Sequence, residues 1–167
     1  MELILSLGSN LGDRLAHLRV ARDRIARLAG VRVVAQAPVY ETEPVGVKPE
    51  YQHLKYLNTV LVVETTRLLE DVHRELARLE AEAGRVRGED RFAPRTLDID
   101  ILFAGDTRCD TAHLSIPHPR WAGRRFVVQP LCEVRPDLVI PGTRETVREV
   151  LARLPPGEAL TLFSRAW

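Results

Sequence analysis

Leu3, Ile4, Leu5 and Leu7 form a short apolar run that predicts a first strand over residues 2–7. Gly8, Ser9, Asn10 and Gly12 then supply turn chemistry, and Asp13 stands where a helix N-cap belongs. Leu11, Leu15, Leu18, Ile25 and Leu28 recur at helical spacing, with Gly30 as the stop. Val31, Val33, Ala35, Ala37 and Val39 share one parity and predict a second strand, and the β-branched residues of 58–64 predict a third. The loop between them, residues 41–55, carries Pro44, Gly46 and Pro49 and is long enough to favour a functional role over a simple hairpin.

Leu69, Val72, Leu76, Leu79 and Ala83 make the next apolar stripe, which Gly84 ends. Residues 98–103 alternate as a fourth strand, so the order is βαββαβ: an α+β, ferredoxin-like core whose sheet carries helices on one face. Thr143 is expected to cap a helix through Val147, Val150, Leu151 and Leu154, stopping before Pro155, and residues 159–163 add a strand. No linker, repeat or low-complexity segment divides the chain, so residues 1–167 are expected to form a single domain.

With 45% hydrophobic and 28% charged residues in a chain of 167, the composition is that of an ordinary globular domain. The 24 basic and 23 acidic residues leave a net charge of +1, which provides no global field for a nucleic acid or an anionic membrane, so any phosphate binding is local. Apart from Lys48 and Lys55 the positive charge is guanidinium, the planar fork suited to bidentate phosphate contacts. Cys109 and Cys132 form no CxxC pair and are expected to be reduced and structural. The apolar N-terminus lacks a basic leader, and the expected compartment is the cytoplasm.

The most informative stretch is RTLDIDI, residues 95–101. On a strand, Asp98 and Asp100 share one face while Leu97, Ile99 and Ile101 share the other. The carboxylate pair admits two readings: a solvated sheet face, or a Mg²⁺ site held jointly with substrate phosphates. Upstream, Arg85, Arg87, Arg91 and Arg95 lie among Gly84, Gly88 and Pro94 in a segment without apolar periodicity, which reads as a mobile loop. These arginines make either a salt-bridged patch or a phosphate clamp, and Phe92 either a lid over a ring or an anchor into the core. His118, Arg120, Arg124 and Arg125 around Pro117 and Pro119 pose the same choice. Tyr56 and Asn58 place a stacking face and an amide on one side of the third strand. The turn at residues 8–12 lacks both GxGxxG and GK[ST], so it reads as a turn whose glycines permit close approach.

Taken together the motifs resemble the 6-hydroxymethyl-7,8-dihydropterin pyrophosphokinases of the folate pathway over nearly the whole chain. The marks are LGSNLGD at 7–13, YETEPVG at 40–46, YLN at 56–58 and GRVR at 84–87. They continue with RFAPRTLDIDIL at 91–102, IPHPR at 116–120 and RRFVVQPL at 124–131. The resemblance implies transfer of the β,γ-pyrophosphoryl group of ATP to the hydroxymethyl oxygen of the pterin, with release of AMP. It implies that Asp98 and Asp100 hold two Mg²⁺ ions, that Arg85 and Arg95 neutralise charge during transfer, and that Arg87 belongs to a closing lid. On the ATP side it implies His118 and Arg124 on phosphates, with Glu80, Phe92, Ile101 and Ser115 beside them. Tyr56 and Phe126 would sandwich the pterin, whose edge would meet Asn58 and the backbone of Thr42 and Val45. The chain departs from some members at Phe92, where they carry tryptophan, at Ala93, where they carry glycine, and at Ala77, where they carry glutamine. His53 and Lys55 acquire no role.

Such chemistry needs positioning and electrostatic stabilisation and calls for no serine or cysteine nucleophile. Rival classes are a ferredoxin-like module that binds a small metabolite without catalysis, a nucleic-acid-binding domain, and another Mg²⁺-dependent phosphoryl or nucleotidyl transferase. The expected partners are ATP and the pterin, with no nucleic acid and no membrane; a monomer is admitted and the oligomeric state left open.

Overall fold

A computed structural model of the chain describes residues 1–84, 90, 93–157 and 159–167. Strand β1 (Glu2–Ser9) leads through the Gly12 turn into α1 (Arg14–Ala26), whose first turn is closed by Asp13 accepting from the Ala16 amide at 3.0 Å. β2 (Val31–Gln36) and β3 (Val39–Thr42) follow, then β4 (Tyr56–Thr65), α2 (Leu69–Glu82) and β5 (Asp98–Ala104). Gly30 and Gly84 both adopt positive φ, as stops after the two helices require. The order along the sheet is β5-β1-β4-β3, with β2 also on β4, and every pairing is antiparallel. This is the expected ferredoxin-like core of an α+β protein.

The predicted second strand is broken. Pro38 cannot donate to the ladder, so β2 and β3 pair with successive parts of β4 on either side of it. The Ala37 carbonyl at the break accepts from Thr59 Oγ1 at 3.0 Å and from the Trp167 indole at 2.8 Å, which ties down the C-terminus. Strand β8 (Leu160–Ser164) extends the main sheet beyond β3.

Helices cover both faces of the sheet, not one. Leu3, Leu5 and Leu7 pack with Leu18 and Ile25 of α1 and Leu76 of α2. On the other face, Val60 and Val62 of β4 pack under α3 (Arg125–Val134) and α4 (Val147–Arg153). β4 is accordingly buried almost throughout, as its unbroken apolar run requires. Nothing in the local pattern announces α3: among the described residues no side-chain hydrogen bond caps its N-terminus, and Pro130 lies inside it. The cap of α4 is Thr146, not Thr143. Thr146 and Glu149 form a capping box, whereas Thr143 Oγ1 donates to the Ile140 carbonyl at 3.0 Å in the preceding turn. A short ribbon, β6 (Cys109–Asp110) with β7 (Ser115–Ile116), precedes the cis Ile116–Pro117 peptide. Among the described residues no helix is long and apolar enough to cross a membrane.

Candidate active site

Strand register gathers the candidate residues on the α3 side of the sheet. Gly8 of β1 pairs with Asp98 on one flank and Asn58 on the other, and Asn58 pairs with Tyr40 of β3. Ser6 pairs with Asp100 in the neighbouring row, and Thr42 with Tyr56. Because side chains alternate, all these positions share one face, while Ile99 and Ile101 turn into the core beneath α1 and α2. The side chain of Ile101, a candidate for the ATP side, is therefore directed away from both aspartates.

The row depends on Gly8. A Cβ there would stand 2.9 Å from Asn58 Oδ1 and 4.0 Å from Tyr56 Cδ1, so both side chains lean across the glycine. Asn58 is buried, and its Nδ2 donates to Thr42 Oγ1 at 2.8 Å, which orients the amide. Val45 is 57% exposed on the 41–55 loop.

Arg95 donates from Nη1 to Asp98 Oδ2 at 3.0 Å. Its main chain is held by Asn10, whose amide donates to the Arg95 carbonyl at 3.1 Å and whose Oδ1 accepts from the Arg95 amide at 2.8 Å. The sequence presents Asn10 as a turn residue, and its one signal for supporting Arg95 is a polar side chain directly after an apolar strand. His118 Nδ1 accepts from the Arg120 amide at 3.2 Å, which leaves the neutral ring's proton on Nε2. Nε2 faces Asp100 Oδ2 at 3.9 Å, an ion-pair distance when the imidazole is protonated. Arg124 precedes α3 with its Cζ 5.7 Å from the Phe126 ring centroid, and Phe126 packs against the second core.

Glu80 lies deeper than its assignment to ATP suggests. It is 3% exposed, and its Oε1 accepts from the Ile99 amide at 2.7 Å, so it holds the outer edge of β5 between the two aspartates. Ser115 Oγ donates to Asp110 Oδ1 at 2.6 Å within the β6–β7 ribbon. Arg85, Arg87, Arg91 and Phe92 lie outside the described residues. Among the described residues there is no group of three or more His, Cys, Asp or Glu side chains that could enclose a metal. The paired carboxylates of Asp98 and Asp100 instead suit a hard cation whose remaining ligands are phosphate oxygens and water, the usual Mg²⁺ arrangement in phosphoryl transfer.

A family described as 7,8-dihydro-6-hydroxymethylpterin-pyrophosphokinase (HPPK) matches residues 4–136. The 2-amino-4-hydroxy-6-hydroxymethyldihydropteridine pyrophosphokinase of Methylorubrum extorquens is 40% identical, covering 91% of this chain and 92% of that protein. The protein of the same name from Pseudomonas aeruginosa is 38% identical, covering 92% of each. Among solved structures, Plasmodium falciparum HPPK-DHPS superposes with a TM-score of 0.64 at 15% identity, a likeness of fold over 91% of this chain and 41% of that one. The class is thus an ATP-dependent diphosphotransferase on a ferredoxin-like sheet. The chain belongs to the 7,8-dihydro-6-hydroxymethylpterin-pyrophosphokinase family. Its reaction is pyrophosphoryl transfer from ATP to hydroxymethyldihydropterin in folate biosynthesis.

Proposed function

We propose that one domain, residues 1–167, carries out this transfer with the residues gathered on the α3 face. The supporting observation is the row Asp98, Gly8, Asn58, Tyr40, which sets a carboxylate at one flank and a hydrogen-bonding amide at the other. Asp98 and Asp100 hold two Mg²⁺ ions. Bound there, the metal supplies positive charge to phosphate oxygens and favours the attacking hydroxyl's loss of its proton.

Arg95 adds a guanidinium already aimed at this flank by Asn10 and Asp98, which lowers the reorganisation needed as charge shifts during transfer. His118 presents its Nε2 proton towards the same region and, with Arg124, holds phosphate oxygens. Arg85 neutralises transferred charge, and Arg87 and Phe92 act as the lid. Glu80 serves the ATP side by fixing the β5 main chain, and Ile101, through its main chain, and Ser115 border it. On the opposite flank the pterin lies between Tyr56 and Phe126, with its edge on Asn58 and on the main chain of Thr42 and Val45. Asn58 Nδ2 already donates to Thr42, so the amide meets the pterin in a set orientation.

The test is incubation with Mg-ATP and 6-hydroxymethyl-7,8-dihydropterin followed by nucleotide analysis. AMP is expected to form in step with pterin pyrophosphate. Asp98→Asn and Asp100→Asn are expected to abolish AMP formation while keeping the wild-type circular dichroism spectrum. ADP without AMP refutes the transfer, and near-normal turnover in either variant refutes the metal assignment.

A further inference from the structure

Arg14, the first residue of α1, lies outside every role assigned so far, yet its guanidinium holds both ends of the 41–55 loop. Nη1 donates to the Lys55 carbonyl at 2.9 Å, and Nη2 donates to Glu41 Oε2 at 2.8 Å. The other Glu41 oxygen faces Lys55 Nζ at 4.0 Å, and that ammonium reaches Glu43 at 3.0 Å. The Arg14 and Glu41 side chains are 24% and 25% exposed, and the guanidinium also lies 5.8 Å from the Phe163 ring centroid. Stacked, charge-paired and bonded to main chain at once, Arg14 makes a more constrained contact than an ordinary surface ion pair.

The alternation of β3 and β4 gives the contact its meaning. Thr42 and Tyr56 form the last pair of that ladder and face the site. Glu41 and Lys55, each one residue away, are reached from behind the sheet by α1.

We propose that Arg14 is a positioning residue for the pterin side. It holds the Glu41 carboxylate and the Lys55 carbonyl, one residue before Thr42 and one before Tyr56, and through them the loop that carries Val45, without touching the substrate. This rests on the assignment of Thr42, Val45 and Tyr56 to the pterin. It also gives Lys55 a role, as the second cation balancing Glu41 and Glu43.

Calorimetry with 6-hydroxymethylpterin in the presence of a non-hydrolysable Mg-ATP analogue tests it, the analogue alone being titrated separately. Arg14→Ala is expected to weaken pterin binding about tenfold and to change analogue binding less than about twofold. Arg14→Lys, which keeps the charge and can keep one contact, should recover most of the loss. Glu41→Gln reads the same network from its acceptor side, with a loss of about threefold, and serves if Arg14→Ala does not fold. Equal losses for both ligands would mean a general structural role and overturn the proposal. Unchanged pterin affinity in the Arg14 and Glu41 variants, beside a clear loss in Tyr56→Ala, overturns the role of Arg14 alone. Unchanged affinity in Tyr56→Ala as well overturns the pterin pocket, and the proposal falls with it.

Discussion

Replacing Asn10 with alanine separates the support of Arg95, the arginine proposed to act in transfer, from the arginine itself. Asn10 is 3% exposed and closes a two-bond ring with the main chain of Arg95, prolonging the β1–β5 ladder past the pair Gly8↔Asp98. The bond from the Asn10 amide survives truncation; the bond accepted by Oδ1 does not. The Arg95 amide is then left half-buried without its acceptor, a loss of about 1–3 kcal/mol. Asn10 Nδ2 is buried and has no hydrogen-bond partner among the described residues, so its removal offsets part of that loss, and a net destabilisation of about 1–2 kcal/mol is expected. A domain of ordinary stability, about 5–15 kcal/mol, stays folded at 25 °C. Urea denaturation reads this first quantity.

Activity should fall much further than stability. A freed Arg95 main chain relaxes the guanidinium that now rests 3.0 Å from Asp98, and a displacement of about 1 Å at a reacting centre costs on the order of 10²-fold. The single-turnover rate of AMP formation is therefore expected to drop about 10–100-fold, with both substrate affinities within about threefold. Ser9→Ala is the control. The Ser9 hydroxyl is fully buried and has no partner among the described residues, so its removal is expected to be neutral or stabilising. A wild-type rate in Asn10→Ala, or a larger stability loss in Ser9→Ala than in Asn10→Ala, would refute the reasoning.

Gly8→Ala places a methyl 2.9 Å from Asn58 Oδ1, so the amide must swing away from Thr42. Pterin affinity should fall about tenfold with a stability change of only about 1 kcal/mol, because alanine suits a strand better than glycine; an unchanged pterin dissociation constant in calorimetry speaks against the shared pocket. Tyr40 is buried and its hydroxyl bonds Glu133 of α3; burial first, then that carboxylate, holds the phenol above its ordinary value of 10.0. The folded state thus keeps a proton that the unfolded chain releases. This contribution is fully present below the unfolded value and is lost as pH rises through the folded one. Tyr40→Phe should lower stability by about 1 kcal/mol near pH 8 and flatten its alkaline decline, and coincident slopes in urea melts across that range would exclude the assignment.

Much of the fold and part of the candidate site were legible because they depend on neighbours a few residues apart. The repeat in residues 15–28 and the Asp13 cap specify α1, the 69–83 stripe with Gly84 specifies α2, and the period of two puts Asp98 opposite Ile99. Local periodicity is a property of backbone geometry, so it can be read before any packing is known.

What tertiary structure decided are the contacts between segments far apart in sequence. The break at Pro38 is signalled locally, but that both halves stay on β4, with Trp167 bonding the Ala37 carbonyl at the break, is not. Helix α3 forms around Pro130 and without a side-chain N-cap among the described residues because Val127, Val128 and Leu131 are buried against the second face of the sheet, a gain that outweighs its weak local signals. The partners of Asn10, Arg14 and Glu80 lie 85, 41 and 19 residues along the chain, so no window on the sequence shows them together. The chain by itself named the candidate groups for the chemistry. Their supports became visible only once burial had chosen which strands lie side by side, because a polar group shut away from water takes the partner the fold provides.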